Sequence, residues 1–154
     1  MINKISTATK IGWVSVFEEN RKIFKIKFGK VKENTKSNVL KKFKENLLRY
    51  YNKKTFEIKC EHKIIGNSIQ KKVWNELKKI KFGHTKTYGD IAKKFKLSPR
   101  HVGKICGQNK LPLLIPCHRV IRSNGAVGGF LGGIKLKKKL LEFEKNGNNN
   151  FTTY

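Results

Sequence analysis

Apolar and polar residues alternate along residues 11–28, which is the pattern of paired β-strands. The alternation runs through Trp13–Phe17, is interrupted at residues 18–20 and resumes over Ile23–Phe28. The interruption is Glu-Glu-Asn, and Asn is favoured in tight turns. The pattern therefore predicts a β-hairpin whose turn lies at these three residues.

The next two apolar patterns have helical spacing. One predicts a helix over residues 38–51, and the other begins at Ser68 and ends before Gly83. Between them lies a mixed connector, residues 52–67, in which Thr55–Ile58 predicts a short strand. Because the periodicity changes across this connector, it is our predicted domain boundary.

A compact pair of short helices follows. The pattern predicts one helix over Tyr88–Phe95 and a second over Arg100–Cys106. Ser98 is placed to cap the second helix, and Pro99 occupies its first position, which proline tolerates well. Two helices around so short a turn are typical of a helix-turn-helix.

The remaining segments are an apolar run, a glycine-rich loop and a last helix. Residues 111–116, LPLLIP, predict a buried extended segment, and residues 123–133 hold five glycines that let backbone approach a ligand closely. The loop matches neither GxGxxG nor a Walker sequence, so it does not indicate a phosphate cradle. The last helix is predicted over residues 134–145.

Together these patterns predict an α/β protein in three parts. Residues 1–67 form a small N-terminal lobe of antiparallel sheet plus helix. It packs on a mostly helical C-terminal domain, residues 68–146, that contains the helix-turn-helix. Residues 147–154 form a flexible tail. With 154 residues, 38% of them hydrophobic, the chain can bury a core of this size.

The charge is large but spread along the chain. The formal net charge is +26, with 17 basic and 6 acidic residues in 1–67 and 19 and 4 in 68–154. Basic proteins are attracted to nucleic acid, but a generally lysine-coated surface explains the total equally well. Only five of the 36 basic residues are arginines. No apolar run approaches the about 20 residues of a membrane span, and there is no signal-peptide core. We expect a soluble, intracellular protein.

The candidate chemistry lies in Ile115–Ile121, where a cysteine leaves a proline-fixed apolar run and is followed by histidine and arginine. Cations lower a thiol's pKa, and His118 could take the proton of Cys117 directly or through a water. A bare Cys-His pair is more often a buried structural cysteine beside surface charges. Glu144, at the edge of the apolar face of the last helix, could orient His118 in a Cys–His–Glu triad or pair with neighbouring lysines.

The other cysteines have less specific patterns. Three cysteines do not form a disulfide framework. Cys60 and His62 are spaced like two metal ligands, but His84 and Cys106 are unconvincing partners, so we expect no metal. We expect Cys106 to pack on its helix, and Cys60 to be partly exposed and to have no role in the chemistry.

Three features in this order resemble the O6-alkylguanine-DNA alkyltransferases: Tyr88-Gly-Asp-Ile-Ala, then Pro116-Cys-His-Arg-Val, then Gly128-Gly129. The resemblance covers about residues 68–146. It implies that the protein flips an alkylated guanine out of duplex DNA and moves the O6-alkyl group irreversibly to Cys117, once per molecule and without a cofactor. The resemblance also implies that an alkyl group on O4 of thymine can be transferred.

The resemblance also assigns roles by position. His118 acts as the base through a water, oriented by Glu144. Tyr88 donates a hydrogen bond to the guanine and crowds the 3′ phosphate. The remaining implied site residues are Asn109 as a hinge, Ser123, Gly129 and Phe130 at the substrate, Arg100 as the finger that fills the stack, and Gly103 and Lys104 on the DNA-binding helix. A minor-groove docking of that helix is implied.

This sequence departs from the family at several of these positions. Phe130 stands where tyrosine is common, which removes a hydroxyl donor and leaves an aromatic wall. Lys110 replaces a common proline. His101 and Lys104 occupy positions that are often filled by small residues.

Two other functions remain open at this point. One is a non-catalytic protein that binds alkylated bases, although such proteins lack the acceptor cysteine. The other is a helix-turn-helix transcription regulator. The favoured hypothesis is a monomeric, single-turnover methylated-DNA–protein-cysteine methyltransferase. Its partner is double-stranded DNA bearing O6-alkylguanine, not a membrane, and its compartment is the cytoplasm, or the nucleus where one exists.

Overall fold

The computed structural model describes residues 1–34 and 37–152, with side chains described through residue 145. It divides into two compact units, Met1–Ile65 and Gly66–Tyr154. The architecture is mixed α/β, as the patterns predict. No helix in the described part of the chain is long and apolar enough to cross a lipid bilayer.

The first unit is an antiparallel sheet covered by a helix. Strands β1 (Asn3–Thr9), β2 (Gly12–Glu19) and β3 (Lys22–Phe28) pair in that order. Helix α1 (Asn38–Tyr51) has the predicted bounds and begins at a Ser37 cap. Apolar residues of the strands and of one face of α1 supply the core, which includes Val14, Val16, Ile23, Ile26, Leu40, Phe43 and Leu47.

The hairpin is confirmed, with a tighter turn than predicted. Strand β2 continues to Glu19, and Asn20 and Arg21 make the turn with φ of 52° and 65°. Two left-handed residues twist a hairpin in the direction that its strands require. The carboxylate of Glu18 accepts a hydrogen bond from the Arg21 amide at 3.1 Å, which supports the turn.

Two predictions for this unit need correction. Strand β1 was not predicted, because its buried positions include Ser6 and Thr7 rather than a run of apolar residues. The buried hydroxyl of Ser6 forms a hydrogen bond with that of Ser15, with the two Oγ atoms 2.9 Å apart. The strand predicted at Thr55–Ile58 does not form. Instead, His62 makes an isolated bridge with Ile23 in β3.

The second unit is mainly helical. Its elements are α2 (Ser68–Leu77), β4 (Lys86–Thr87), α3 (Tyr88–Phe95), α4 (Pro99–Gly107), a 3₁₀ turn (Cys117–Arg119), β5 (Val120–Ile121) and α5 (Ile134–Thr152). Helices α3 and α4 form the predicted helix-turn-helix, and Ser98 caps α4 by accepting from the His101 amide at 3.1 Å. Lys96 ends α3 with a left-handed φ of 55°.

Two segments of this unit differ from the prediction. Residues 111–116 are buried but turned, because Ile115 donates its amide to the Leu111 carbonyl at 2.8 Å and Leu113 has φ of 76°. Buried backbone N–H and C=O groups need hydrogen-bond partners, and here a turn supplies them in place of a strand. Helix α5 runs past its predicted end at Lys145. The side chains of the tail, 147–154, lie outside the described residues, so its flexibility stays a prediction.

Candidate active site and DNA-binding face

A parallel pair of short strands brings the distant parts of the site together. Lys86 pairs with Val120 and Thr87 with Ile121. Thr87 also caps α3 in a reciprocal capping box with Asp90, in which both hydrogen bonds measure 3.0 Å. Tyr88, the first residue of α3, is thereby fixed beside the segment that follows Cys117.

Cys117 lies in a tight, buried 3₁₀ turn. Its amide donates to the Ile115 carbonyl at 2.7 Å, and the Arg119 amide donates to the Pro116 carbonyl at 3.0 Å. Cys117, His118 and Arg119 are 5%, 0% and 7% exposed. Adjacent charged residues would lie at the surface if the cysteine were only structural, and here they are buried with it.

Glu144 links this turn to α5. Its Oε2 lies 2.9 Å from His118 Nε2, and its two oxygens accept from Arg119 Nε and Nη2, both at 2.8 Å. Arg119 also donates Nη1 to the Ile80 carbonyl at 2.7 Å. The partners of Glu144 therefore include both the histidine and the arginine of the motif.

These contacts decide the charge of Glu144 and the tautomer of His118. Burial by itself would raise the pKa of Glu144, but His118 and Arg119 outweigh it and hold the pKa well below its usual range. An ionised carboxylate only accepts hydrogen bonds, so His118 Nε2 carries a proton. The buried Nδ1 has no partner among the described residues, which leaves it as the nitrogen that can take a proton.

The thiol of Cys117 is held in its neutral form. Burial raises its pKa, and a hydrogen bond from Asn109 and the charge of Lys137 offset only part of this. Asn109 is itself buried, donating Nδ2 to the Ile115 carbonyl and accepting from the Leu111 amide, both at 2.9 Å. A thiol of this kind needs a base before it can act as a nucleophile.

Cys117 opens onto a cavity of about 600 Å³. Aromatic, glycine and arginine residues from α3, α4 and the glycine-rich loop form its walls. The lining residues are Tyr88, Pro99, Arg100, Gly103, Cys106, Gly107, Cys117, Arg122, Gly128, Gly129, Phe130 and Leu131. Its size fits the range of about 300–1,000 Å³ found for small-molecule pockets.

Most of the predicted site residues meet at this cavity. Tyr88, Arg100, Gly103, Gly129 and Phe130 lie in its wall with Cys117, and His118 and Glu144 lie behind it.

Three predicted residues do not line the cavity. Asn109 is packed behind Cys117, while Ser123 and Lys104 are exposed side chains outside the wall. Ser123 instead lies against the start of α3, since a Cβ built on Gly89 would be 3.5 Å from its Oγ.

Tyr88 supplies a hydroxyl group to the wall. Burial and the neighbouring thiols of Cys106 and Cys117 raise its pKa to about 12, so the phenol keeps its proton at neutral pH. Gly103 of α4 lies beside its ring, where a Cβ would make an ordinary contact at 3.8 Å. Phe130 faces His118, with ring centroids 6.4 Å apart at 74°.

Lys137 was missed by the sequence analysis. It is 0% exposed, and its Nζ donates to the Val120 carbonyl at 2.6 Å and to the Gly129 carbonyl and Tyr88 Oη at 3.2 Å. Burial lowers its pKa. Its spacing from Leu140 and Glu144 puts all three on one face of α5, which is the signal that could have identified it.

The described residues contain no group of three or more His, Cys, Asp and Glu side chains that could hold a metal. In the first unit, His62 Nδ1 lies 2.9 Å from the carbonyl oxygen of Cys60.

The comparisons with known proteins agree on one family. Residues 68–146 match the model described as 6-O-methylguanine DNA methyltransferase, DNA binding domain. A methylated-DNA--protein-cysteine methyltransferase of Methanocaldococcus vulcanius is 52% identical over 85 residues, which is 55% of this chain and 52% of that protein. The protein of the same name from Metallosphaera sedula is 35% identical over 147 residues, 94% of each chain.

A solved structure extends the similarity to the whole fold. The Mycobacterium tuberculosis OGT in complex with DNA has a TM-score of 0.84 and 27% identity, covering 94% of this chain and 93% of that one. The chain spans about half the length of the M. vulcanius relative. The family model covers half of the chain and the M. sedula relative nearly all of it, so the chain belongs to the methylated-DNA--protein-cysteine methyltransferase family.

Proposed function

We propose that this protein repairs DNA by transferring an alkyl group from O6 of guanine to Cys117, once per molecule. The Cys117 thiol opens onto a base-sized cavity and has a buried His118–Glu144 pair directly behind it. This arrangement supplies a nucleophile, a base for its proton and an orienting carboxylate.

The chemistry follows from the protonation states. His118 Nδ1 takes the thiol proton through a water, and the thiolate attacks the alkyl carbon. The S–C bond forms as the C–O6 bond breaks, and the electron pair stays with the guanine. The protonated phenol of Tyr88 donates a hydrogen bond to the leaving base, stabilising the charge that develops there. The thioether is not cleaved, so the protein is consumed.

The DNA is bound through the helix-turn-helix. Arg100, in the cavity wall near the start of α4, enters the stack where the base has left, and Lys104 contacts a phosphate from the same helix. Flipping a base costs a few kcal/mol, less for a poorly paired lesion, and an inserted side chain offsets part of that cost. The +26 charge supplies a general attraction to the backbone.

The proposed substrate is double-stranded DNA with O6-alkylguanine, and the same chemistry extends to O4-alkylthymine. The protein acts as a monomer where the DNA is, in the cytoplasm or in a nucleus. The loop at Gly129 and Phe130 forms the wall for the flipped base, with an aromatic face at Phe130 in place of a hydroxyl donor.

Mass spectrometry of the intact protein tests the proposal. After incubation with O6-methylguanine duplex or with O6-benzylguanine, we expect one alkyl group per molecule, on the peptide that contains Cys117. Cys117→Ala should gain no mass yet still bind the duplex. A folded wild-type protein that stays unmodified would overturn the proposal, and a preference for lesion-containing DNA without modification would favour a non-catalytic binder. Preference for one undamaged sequence would favour a regulator.

A further inference from the structure

Arg122 is a charged side chain at the cavity that the proposed mechanism does not use. Its backbone is fixed in a turn, where its amide donates to the Ala126 carbonyl and its carbonyl accepts from Gly125, both at 2.9 Å. Its side chain is exposed, lines the cavity and has no hydrogen-bond or ion-pair partner among the described residues. The backbone is anchored at the edge of the site, and the guanidinium is open to a ligand there.

The three arginines of this unit differ in their surroundings. Arg119 is buried, with its guanidinium bonded to Glu144 and to the Ile80 carbonyl. Arg100 lies in the cavity wall on α4. Five of 36 basic residues are arginines, yet two of those five line this one cavity from different elements. The lysines are spread along the chain, while Arg100 and Arg122 come together at this cavity.

We propose that Arg122 binds a backbone phosphate of the flipped nucleotide and so holds that nucleotide in the cavity. This inference rests on the proposed function. A base that fills the cavity keeps its own sugar and phosphates at the entrance, where Arg122 lies. The planar guanidinium can donate two parallel hydrogen bonds to a phosphate, which a lysine cannot.

The position also suits the chemistry inside the cavity. The charge of Arg122 reaches Tyr88, where it favours the ionised phenol and so opposes part of the rise in pKa. A bound phosphate would neutralise that charge. Phosphate binding at Arg122 would therefore raise the pKa of Tyr88 further and keep its phenol protonated.

The test compares a substrate that has a phosphate with one that has none. Arg122→Gln should slow repair of an O6-methylguanine duplex by about ten- to hundredfold, because a charge-assisted hydrogen bond is lost. The rate with the free base O6-benzylguanine, which has no phosphate, should fall much less. Arg122→Lys should restore only part of the duplex rate. Lys139→Gln, which removes an exposed charge outside the cavity wall, is the matched control.

Neutral methylphosphonates then locate the contact. The phosphates around the lesion are replaced one at a time. At one position the replacement should slow repair by the wild type but leave the repair rate of Arg122→Gln unchanged. Equal slowing with duplex and free base, or no slowing with either, would overturn the inference. If the wild type reacts with neither substrate, the proposed function itself fails, and the two failures are thus distinct.

Discussion

His118 Nε2 and Glu144 Oε2 lie 2.9 Å apart, one in a 3₁₀ turn and the other on the last helix. Both side chains are 1% exposed. The same carboxylate holds the Arg119 guanidinium through both oxygens. One residue therefore orients the candidate base and also neutralises the cation that follows it in the chain.

The first prediction concerns stability. Glu144→Gln should lower the free energy of unfolding at neutral pH by about 3–5 kcal/mol, because it leaves a buried guanidinium without its counter-charge. Urea unfolding followed by circular dichroism measures this. Glu142→Gln, on the exposed side of the same helix, is the control and should change little. Equal losses in the two variants would contradict the role given to Glu144.

The pH dependence of that difference has a definite sign. The folded-state pKa of Glu144 is depressed, so its contribution is complete above the unfolded value of about 4.3. It is lost as the pH falls from there toward the folded pKa. The gap between wild type and Glu144→Gln should therefore shrink below about pH 4.3. A gap that widens in acid would show that the carboxylate is not the stabilising form.

The second prediction concerns the thiol. Because burial raises the pKa of Cys117, its reaction with iodoacetamide should rise with pH through a midpoint above the about 8.5 of a free cysteine. Peptide mass mapping follows Cys117, with N-acetylcysteine as the reference. Burial also raises the pKa of Cys106, to about 12, and the same digest follows its peptide. A Cys117 midpoint below that of the reference would mean a preformed thiolate.

The third prediction joins Lys137 to Tyr88. An ammonium can only donate, so Tyr88 Oη accepts from Lys137 and its own proton is directed elsewhere. Tyr88→Phe should slow reaction with O6-benzylguanine by about 100-fold, and Lys137→Met should slow it less. The double variant should be no slower than Tyr88→Phe. Additive losses would mean that Lys137 acts independently of the phenol, through its bonds to the Val120 and Gly129 carbonyls.

The fourth prediction concerns the glycine loop. Gly128 has φ of 76°, and a Cβ there would lie 2.9 Å from Tyr88 Oη, whereas a Cβ at Gly129 would meet nothing within 4 Å. Gly128→Ala should lower the free energy of unfolding by about 1–3 kcal/mol, since it combines left-handed backbone with a collision. Gly129→Ala should not. Thermal unfolding of the two variants compares them directly, and similar losses would contradict this account.

Local signals explain why several elements could be predicted closely. Helix α1 and helix α3 have their predicted bounds, because apolar spacing and capping residues act over a few positions. The same holds for the turn at Ser98. Strand β1 was missed because it is stabilised by pairing with β2, and its Ser6 is buried through a hydroxyl pair that no periodicity reveals.

Some features of the site could likewise be predicted from the sequence, and others could not. The motif around Cys117 and the edge position of Glu144 could be recognised in the sequence, since both depend on residue type and short spacing. Their contact could not be derived, because residues 26 positions apart meet only through the fold. The buried position of Lys137 and the cavity side of Arg122 are likewise absent from the pattern, in which both are ordinary cations of a lysine-rich chain.

The sequence by itself determined helices α1 and α3, the cap at Ser98, the hairpin and the nucleophile candidate, since each follows from neighbouring residues. Only the tertiary structure decided which charges are buried and what they contact. The β4–β5 pairing brings Tyr88 beside the Cys117 turn, and α5 brings Lys137 and Glu144 to the same place. Burial sets the pKa values of the site, and burial is a property of the packed chain.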